Sequence, residues 1–337
     1  MESQTNGELH KKPLIYLDQN IYDKIRRGVF GGLKEEVNKY FVVVYSDETL
    51  KEIDGNDTLR DVYLGIIEAF DSLYMKIVLD EKFRITDRVQ FYQGSVRQFF
   101  EKWKINQSES PDASASMLRM ANKLIGGLKG IRFDELIDDQ KLDFDKLVTD
   151  LVESSRDDEI LGSVMLRAAN EMKEQFEVVT QQMREALNEK IKDQENFRGR
   201  KELHEKIRIG PKQLKNITHP NVLKKIWEQI SNAPELKDKG ITFDKFFHLE
   251  SNPLYPGEDY PIYSKVSMLY NTLNSIGFYP DKDIERENKF RGSLYDSQHA
   301  ANAIFCKFLM TSDLAMSKKC SAIYEYLGIE TRIIYVD

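Results

Sequence analysis

The feature that most restricts the fold is the continuous apolar run at residues 41–45, which reads FVVVY. Its β-branched side chains favour a strand, and the lack of alternating polar positions is typical of a strand buried on both faces of a parallel sheet. Ser46 follows as the expected N-cap of a helix, with Asp47 and Glu48 in the first turn, where carboxylates are favoured. The run therefore predicts an α/β fold.

Both ends of the chain continue this alternation of strands and helices. The predicted core comprises 13–79 and 288–337 and follows a polar tail at 1–12. In its first part we expect a strand at 13–17, a helix at 20–27, a helical period over 57–75 and a further strand at 76–79. In its second part we expect helices at 296–307 and 314–327, strands at 308–311 and 332–336, and a helix end at Gly328. This order predicts a parallel sheet with right-handed connections.

Residues 80–287 differ in character and are predicted to form a mostly helical insertion. Pro and Gly are sparse from 134 to 198, and apolar side chains recur there with helical spacing. One predicted face holds Phe144, Leu147, Val148, Leu151 and Val152, and another holds Leu161, Val164, Met165, Met172, Phe176, Val179, Met183 and Leu187. The stretch 249–262, with three prolines and a glycine, is predicted to be a loop.

Charge argues against a basic protein that coats nucleic acid or a membrane surface, because 49 Lys and Arg face 56 Asp and Glu, a net −7. Despite the negative net charge of the chain, the segment 197–225 is basic, with nine basic and two acidic residues. Since phosphate contacts supply most non-specific affinity for nucleic acid, this segment is the candidate RNA-backbone surface, although a solvated face is the simpler interpretation. Its candidate contacts are Arg198, Arg200, Lys201, Lys206, Arg208, Lys212 and Lys215.

Two further features bound the class of protein. The only cysteines, Cys306 and Cys320, exclude a disulfide framework and a Cys-rich zinc site. No apolar run approaches the roughly 20 residues of a membrane-spanning helix, and the polar start lacks the apolar core of a signal peptide. We therefore expect a cytoplasmic protein without a membrane partner.

Carboxylates stand just after, or one turn beyond, the predicted strands. Asp18 ends the first strand, Glu52 lies in the helix after FVVVY, Asp296 opens the helix before strand 308–311, and Asp313 follows that strand. Ligands of open parallel sheets bind outside the carboxyl ends of the strands, so these acids are expected to share one edge. Four carboxylates repel one another, a conflict that a divalent cation removes. Hard oxygen ligands suit Mg²⁺ or Mn²⁺, and such a site predicts phosphodiester hydrolysis.

Four motifs in chain order resemble those of the PIN-domain ribonucleases: YLDQN at Asp18, SDETLKE closing on Glu52, DSQHAANA from Asp296 and FLMTSD ending at Asp313. The resemblance covers roughly 13–75 and 290–337. It implies an α/β/α sandwich whose acidic cleft binds Mg²⁺ or Mn²⁺ and cuts RNA, with the four acids as catalytic and metal-ligating residues. It further implies supporting polar roles for the side chains of Asn20 and Thr311.

The resemblance implies a metal-dependent ribonuclease, an endonuclease, with RNA as its substrate. The insertion, unusually large for that compact family, is expected to supply RNA selection, contacts with a second copy or a regulatory protein, or autoinhibition. A toxin or host-defence role follows by analogy only. Three alternatives stay open: a degenerate PIN fold serving as an RNA-binding or assembly scaffold, a DNA-directed PIN-like nuclease, and a haloacid-dehalogenase-like phosphatase. The last needs D-x-D, whereas Asn20 occupies its second acidic position.

Each candidate also has a simpler structural interpretation. Asp18, Asp296 and Asp313 stand where Asp commonly caps a helix, and an exposed Glu52 needs no explanation. His299, three residues after Asp296, is a candidate to contact substrate or orient an acid, against a satisfied and partly buried histidine. Five aromatic residues could stack bases, with core packing as the simpler interpretation: Trp103, Trp227, Tyr255, Tyr260 and Tyr263.

Overall fold

The computed structural model describes residues 12–29, 31–82, 84–108, 114–154, 159–252 and 257–337. Of the predicted polar tail only Lys12 is among them, and the predicted loop at 249–262 includes four residues, 253–256, that lie outside them. The chain divides into two compact units. The first comprises Met1–Gln107, His204–Asp281 and Gly292–Asp337, and the second comprises Ser108–Leu203 and Lys282–Arg291.

A six-stranded, mostly parallel sheet forms the centre of the first unit. Its strands are β1 (Leu14–Leu17), β2 (Val42–Tyr45), β3 (Leu73–Leu79), β4 (Ile85–Tyr92), β5 (Phe308–Thr311) and β6 (Arg332–Tyr335). Their order is β4-β3-β2-β1-β5-β6, and every pair is parallel except β3 with β4. Tyr16 is in register with Val44 on one side and with Leu309 on the other. The α/β class predicted from FVVVY is confirmed, and the fold is compatible with a parallel α/β/α sandwich.

Helices fill most of the remaining chain. Those up to the second unit are α1 (Gln19–Arg26), α2 (Leu33–Tyr40), α3 (Asp47–Asp54), α4 (Arg60–Ala69) and α5 (Val96–Ser108). Next come α6 (Ser114–Leu124), α7 (Phe133–Ser154), α8 (Glu159–Lys190), α9 (Arg200–Ile207), α10 (Pro211–Leu214) and α11 (Val222–Ile230). The last are α12 (Pro234–Lys237), α13 (Phe243–Phe246), α14 (Ile262–Ile276), α15 (Glu287–Ala303) and α16 (Leu314–Leu327).

The structure differs from the predicted elements at three places. The helical period predicted to reach residue 75 ends with α4 at Ala69, and β3 begins at Leu73 because residues 73–75 are buried in the sheet. The antiparallel edge strand β4 was not predicted, since its polar residues alternate with buried Val89 and Phe91 inside a region expected to be helical. Helix α15 begins at Glu287 rather than at residue 296, so Asp296 lies within the helix and does not open it.

The predicted burial of FVVVY is confirmed for Val43, Val44 and Tyr45, which are fully buried, whereas Phe41 and Val42 are partly exposed. Full burial of a Val or Leu side chain contributes about 1.5–3 kcal/mol. Two C-terminal predictions are also confirmed: α16 spans Leu314–Leu327, and Gly328 ends it with a left-handed φ of 67°. Left-handed backbone is the conformation that favours glycine after a helix.

The second unit is built around α6, α7 and α8. Its buried core consists of Met120, Phe133, Leu136 and Ile137. The rings of Phe144 and Phe176 stack at 4.1 Å between centroids, joining α7 to α8. Four members of the predicted apolar faces are exposed rather than buried, namely Leu151, Val164, Met172 and Val179. The side chain of Leu161 lies outside the described residues.

Part of the predicted insertion belongs to the unit that contains the sheet. Strand β4 and helices α5 and α14 fall within the predicted insertion at 80–287, yet belong to the unit that contains the sheet.

Across the part of the chain that the structure describes, none of the helices has both the length and the apolar character needed to cross a membrane.

Candidate functional site

The strand order changes direction between β1 and β5. The chain proceeds from β1 through β2 and β3 to β4 on one side, then returns to place β5 and β6 on the other. Open α/β sheets bind ligands outside the carboxyl ends of the strands at such a switch point. Asp18 directly follows β1 and donates its backbone N–H to the carbonyl of Met310 in β5 at 3.0 Å. Asp18 therefore lies where a sheet of this topology would bind a ligand.

The Asp18 carboxylate is buried and held by side chains rather than used as a cap. It precedes α1 but makes no side-chain hydrogen bond to the helix N-terminus. Its Oδ2 accepts hydrogen bonds from Thr311 Oγ1 at 2.8 Å and from Asn20 Nδ2 at 3.0 Å. The two predicted supporting residues thus contact the first predicted acid, and the capping interpretation does not account for its side chain.

The charge of Glu52 acts on Asp18, and the charges of Asp18 and Glu52 act on Asp296. Burial raises the pKa of Asp18, and the charge of Glu52 raises it further, while nearby His299 lowers it. Burial also raises the pKa of Asp296 well above its ordinary value, and the charges of Asp18 and Glu52 add to that effect. Like charges brought together out of water favour the neutral form of each. Three of the four predicted acids therefore share one electrostatic environment.

Glu52 is engaged by His299. Oε2 of Glu52 lies 3.0 Å from Nε2 of His299, whose side chain is 1 % exposed. Burial lowers the pKa of His299, but the charge and hydrogen bond of Glu52, with the charges of Asp18 and Glu48, raise it to about 9. At neutral pH the imidazole is therefore protonated and both of its nitrogens donate. His299 forms an ion pair with the second predicted acid.

A chain of hydrogen bonds continues from the other nitrogen of His299. Nδ1 lies 2.7 Å from the Tyr16 hydroxyl, which lies 2.8 Å from Ser46 Oγ. Ser46 in turn donates to Glu48 Oε2 at 3.0 Å, and Asn302 Nδ2 donates to the same oxygen at 2.7 Å. Since protonated Nδ1 donates to Tyr16, the hydroxyls of Tyr16 and Ser46 both donate onward, and every link of the chain has a donor and an acceptor.

A buried lysine lies near Asp296. Lys319 is fully buried on α16 and its Nζ is 2.7 Å from Oδ1 of Asp281. The same ammonium lies 4.0 Å from the ring centroid of Tyr270. The charge of Lys319 lowers the pKa of Asp296, while that of Asp281 raises it. This ion pair therefore sets part of the field at the third predicted acid.

Asp313 is the N-cap of helix α16, the structural role expected for an Asp at this position. Its Oδ1 accepts a hydrogen bond of 2.8 Å from the backbone N–H of Met316, so it caps the N-terminus of α16. Its own N–H donates to Thr311 Oγ1 at 3.0 Å, which connects it to the threonine that holds Asp18. The fourth predicted acid is therefore linked to the site through Thr311.

The donor chemistry of these residues fits a hard divalent cation. Asp18 and Asp296 are carboxylates whose raised pKa values reflect burial and the charges of neighbouring carboxylates, and a bound cation would offset both effects. Among the described residues, however, no three or more His, Cys, Asp or Glu side chains form a group that could hold a metal ion. The side chain of Glu52 is paired with His299, and that of Asp313 caps α16. The Mg²⁺ or Mn²⁺ site stays a prediction.

The basic segment is mostly solvated. Arg200 is 15 % exposed and donates to Glu285 at 2.9 Å, so its guanidinium is committed to an ion pair. The other six candidates are exposed: Arg198, Lys201, Lys206, Arg208, Lys212 and Lys215. The first three candidates along the chain belong to the second unit and the remaining four to the first. Their contact with RNA stays a prediction.

Comparison with known proteins does not identify a family for this chain. No family model matches the chain, and neither a curated protein nor a solved structure matches it. The function proposed for this site therefore rests on its residues.

Several residues of the site were not identified from the sequence. Tyr16 and Asn302 were not predicted, and Ser46 was predicted only as an N-cap. Glu48, which is close enough to Glu52 in the sequence to compete for its role, completes the hydrogen-bonded chain. One sequence signal was available, because Asp296, His299 and Asn302 follow one another at intervals of three residues and thus lie on one side of a helix.

Proposed function

We propose that this chain is a metal-dependent ribonuclease with a PIN-like core, an endonuclease that hydrolyses RNA phosphodiester bonds at a Mg²⁺ or Mn²⁺ site. One observation carries the proposal. Asp18 lies at the switch point of the sheet, and its charge, with burial, raises the pKa of Asp296. Natural proteins keep such unfavourable charge pairs chiefly where function requires them.

The residues of the site have distinct roles in this proposal. Asp18 and Asp296 would hold the metal ion, with Glu52 and Asp313 as the further ligands. When bound, the ion would supply charge neutralisation at the phosphate and a more acidic water. Thr311 and Asn20 fix Asp18 through hydrogen bonds to Oδ2. His299 positions Glu52 and carries a compensating positive charge.

A second candidate function has its own support. A degenerate PIN-like fold that binds RNA or serves as an assembly scaffold would not need four free carboxylates. Glu52 is paired with His299, and the Asp313 carboxylate is occupied as a helix cap. Both observations are what a fold that has lost its metal would retain. Cleavage experiments separate this candidate from the enzyme.

The test is cleavage of a mixed RNA pool with Mn²⁺ or Mg²⁺ by the wild type, Asp18→Asn and Asp296→Asn. Asp238→Asn is a matched control, because it makes the same chemical change at an exposed carboxylate on another part of the first unit. We expect cleavage by the wild type and by the control, and a loss of at least about a hundredfold in the two site variants, in line with removal of a group that stabilises the transition state.

Two further arms test the alternatives. A matched single-stranded DNA pool tests a DNA-directed nuclease, and a set of small phosphomonoesters tests a phosphatase. Equal inertness of all four proteins towards RNA under several metals, with RNA binding retained, would replace the enzyme with the scaffold.

A further inference from the structure

A cleft lies in the first unit, on the side of the sheet occupied by β3 and β4. Its volume is about 290 Å³. Its walls come from α5, from the first turn of α3 and from the two strands. The lining residues are Asp47, Tyr74, Lys76, Tyr92, Phe99, Lys102, Trp103, Asn106 and Gln107. We call it the aromatic cleft.

The aromatic wall of the cleft is preorganised. Tyr74 lies 5.0 Å from Phe99 and 6.2 Å from Tyr92, measured between ring centroids. Trp103 packs on Phe100 at 5.9 Å in a stacked arrangement. Tyr74, Phe99 and Trp103 are each 7 % exposed and are fixed by the hydrophobic core, so the half-buried Tyr92 is the most exposed ring of the wall. Exposed aromatic rings stack on nucleic-acid bases with little dependence on the base.

The polar groups of the cleft carry both charges. Lys76 and Lys102 are exposed at its mouth, and neither forms an ion pair with any residue in the described ranges. Asp47 lies inside and accepts a hydrogen bond from the Tyr74 hydroxyl. Two lysines beside a flat apolar wall suit a ligand that combines an aromatic ring with a phosphate.

The aromatic cleft is connected to the acidic site through the chain. Asp47 precedes Glu48, the carboxylate at the end of the hydrogen-bonded chain that begins at Glu52 and His299. Tyr74 is in register with Tyr45, the last residue of β2, so the cleft lies at the same carboxyl edge of the parallel strands as Asp18. A nucleotide in the cleft would therefore lie on the edge where the proposed cleavage occurs.

We propose that the aromatic cleft binds one base of the single-stranded RNA substrate, with the base against the half-buried ring of Tyr92 and the adjoining phosphate beside Lys76 and Lys102. The carboxylate of Asp47 accepts hydrogen bonds, so the cleft favours bases that carry an exocyclic amino group over uracil. This inference rests on the proposed function, because it assigns the base to a substrate strand.

The test measures binding of RNA pentamers by calorimetry without divalent metal, so that no cleavage occurs. The probes are oligocytidine, oligoadenosine, oligouridine and an abasic pentamer with the same phosphates. We expect the abasic probe to bind at least about tenfold more weakly than oligocytidine, and oligouridine to bind several-fold more weakly. The double variant Lys76→Gln/Lys102→Gln should lose at least about fivefold in affinity for oligocytidine.

Matched controls separate the cleft from general charge. Lys104→Gln makes the same change on α5 at a residue that does not line the cleft, and it should bind oligocytidine like the wild type. Both substituted lysines of the double variant are exposed, so its thermal unfolding should match that of the wild type. Equal binding of the abasic and base-bearing probes, or an unaffected double variant, would overturn the inference.

Cleavage kinetics distinguish this failure from failure of the proposed function. If the cleft holds a substrate base, the double variant should raise KM for RNA cleavage and leave kcat nearly unchanged. An unchanged KM together with an inactive Asp296→Asn variant would remove the cleft from the substrate site and leave the ribonuclease standing. Tighter binding of cytidine monophosphate than of oligocytidine, or base-dependent binding without any cleavage, would assign the cleft to a free nucleotide and overturn the substrate assignment.

Discussion

Nε2 of His299 lies 3.0 Å from Oε2 of Glu52, although 247 positions separate the two residues in the chain. The histidine is buried, and it also contacts Tyr16 through Nδ1 at 2.7 Å. The pair thus joins α15 to α3 and fixes the carboxylate that the sequence marks as a metal ligand. It is the most strongly connected contact of the site.

Replacing His299 should destabilise the protein. His299→Gln removes the buried cation and leaves the charge of Glu52 uncompensated, so we expect a loss of about 2–3 kcal/mol in the free energy of unfolding. Urea denaturation measures it, and the double variant with Glu52→Gln should recover part of the loss through coupling. Losses that simply add would show that the two side chains do not interact.

The stabilisation by His299 should depend on pH. Its pKa is raised from 6.5 to about 9 in the folded protein, so folding favours the protonated form. The contribution is therefore fully present below pH 6.5 and is lost as the pH rises through about 9. The difference in unfolding free energy between wild type and His299→Gln should be larger at pH 6 than at pH 9.5. A difference that stays constant over this window contradicts a charged His299.

Removing one carboxylate should stabilise the protein in the absence of divalent metal. The pKa of Asp296 is raised well above its usual range by burial and by Asp18, Asp281 and Glu52, so ionised Asp296 opposes folding. We expect Asp296→Asn to raise the free energy of unfolding at neutral pH by about 0.5–2 kcal/mol, in EDTA. The advantage should shrink as the pH falls and wild-type Asp296 takes up its proton. A destabilised variant would contradict this electrostatic account.

Substitutions of Asp313 can separate its helix-capping role from its proposed role as a metal ligand. Asn caps helices as well as Asp, whereas Ala does not, so Asp313→Ala should cost about 1 kcal/mol and Asp313→Asn little. If Asp313 only caps α16, the Asn variant should cleave RNA normally. The proposed ligand role predicts instead a stable Asn variant with impaired cleavage. Thermal unfolding and the RNA assay, on the same preparations, decide between the two.

The exposed basic residues of the first unit should contribute to RNA affinity. Changing Lys206, Arg208, Lys212 and Lys215 to Gln should weaken binding and reduce the slope of log K against log salt by about 0.7 for each phosphate that the protein no longer neutralises. A control quartet with the same charge change replaces exposed lysines elsewhere in that unit: Lys39, Lys237, Lys239 and Lys245. If both quartets have equal slopes, the basic segment is a solvated face.

Elements with a strong local sequence pattern could be predicted, whereas those that depend on contacts with distant residues could not. FVVVY predicted β2 from local sequence alone, because the pattern of a strand buried on both faces is visible without knowing its neighbours. Helix capping by Asp313 was one of the interpretations of the sequence, and it is the role observed. Strand β4 and the start of α15 were missed because tertiary burial, as at Phe290, overrides a weak local pattern.

Contacts between residues far apart in the chain could not be predicted from the sequence. The pair of Glu52 with His299 depends on two helices meeting across the fold. Lys319 is fully buried, whereas a lysine is expected at the surface by default, and its contacts with Asp281 and the Tyr270 ring compensate for the burial. The aromatic cleft likewise depends on α5 packing beside an edge strand that was not predicted.

The central claim is that Asp18 and Asp296 hold a divalent cation, and calorimetric titration with Mn²⁺ tests it most directly. The wild type and the Asp238→Asn control should bind Mn²⁺ with the same stoichiometry and affinity. Asp18→Asn and Asp296→Asn should each lose that binding while remaining folded. Equal Mn²⁺ binding by all four proteins, or none by the wild type, would contradict the account.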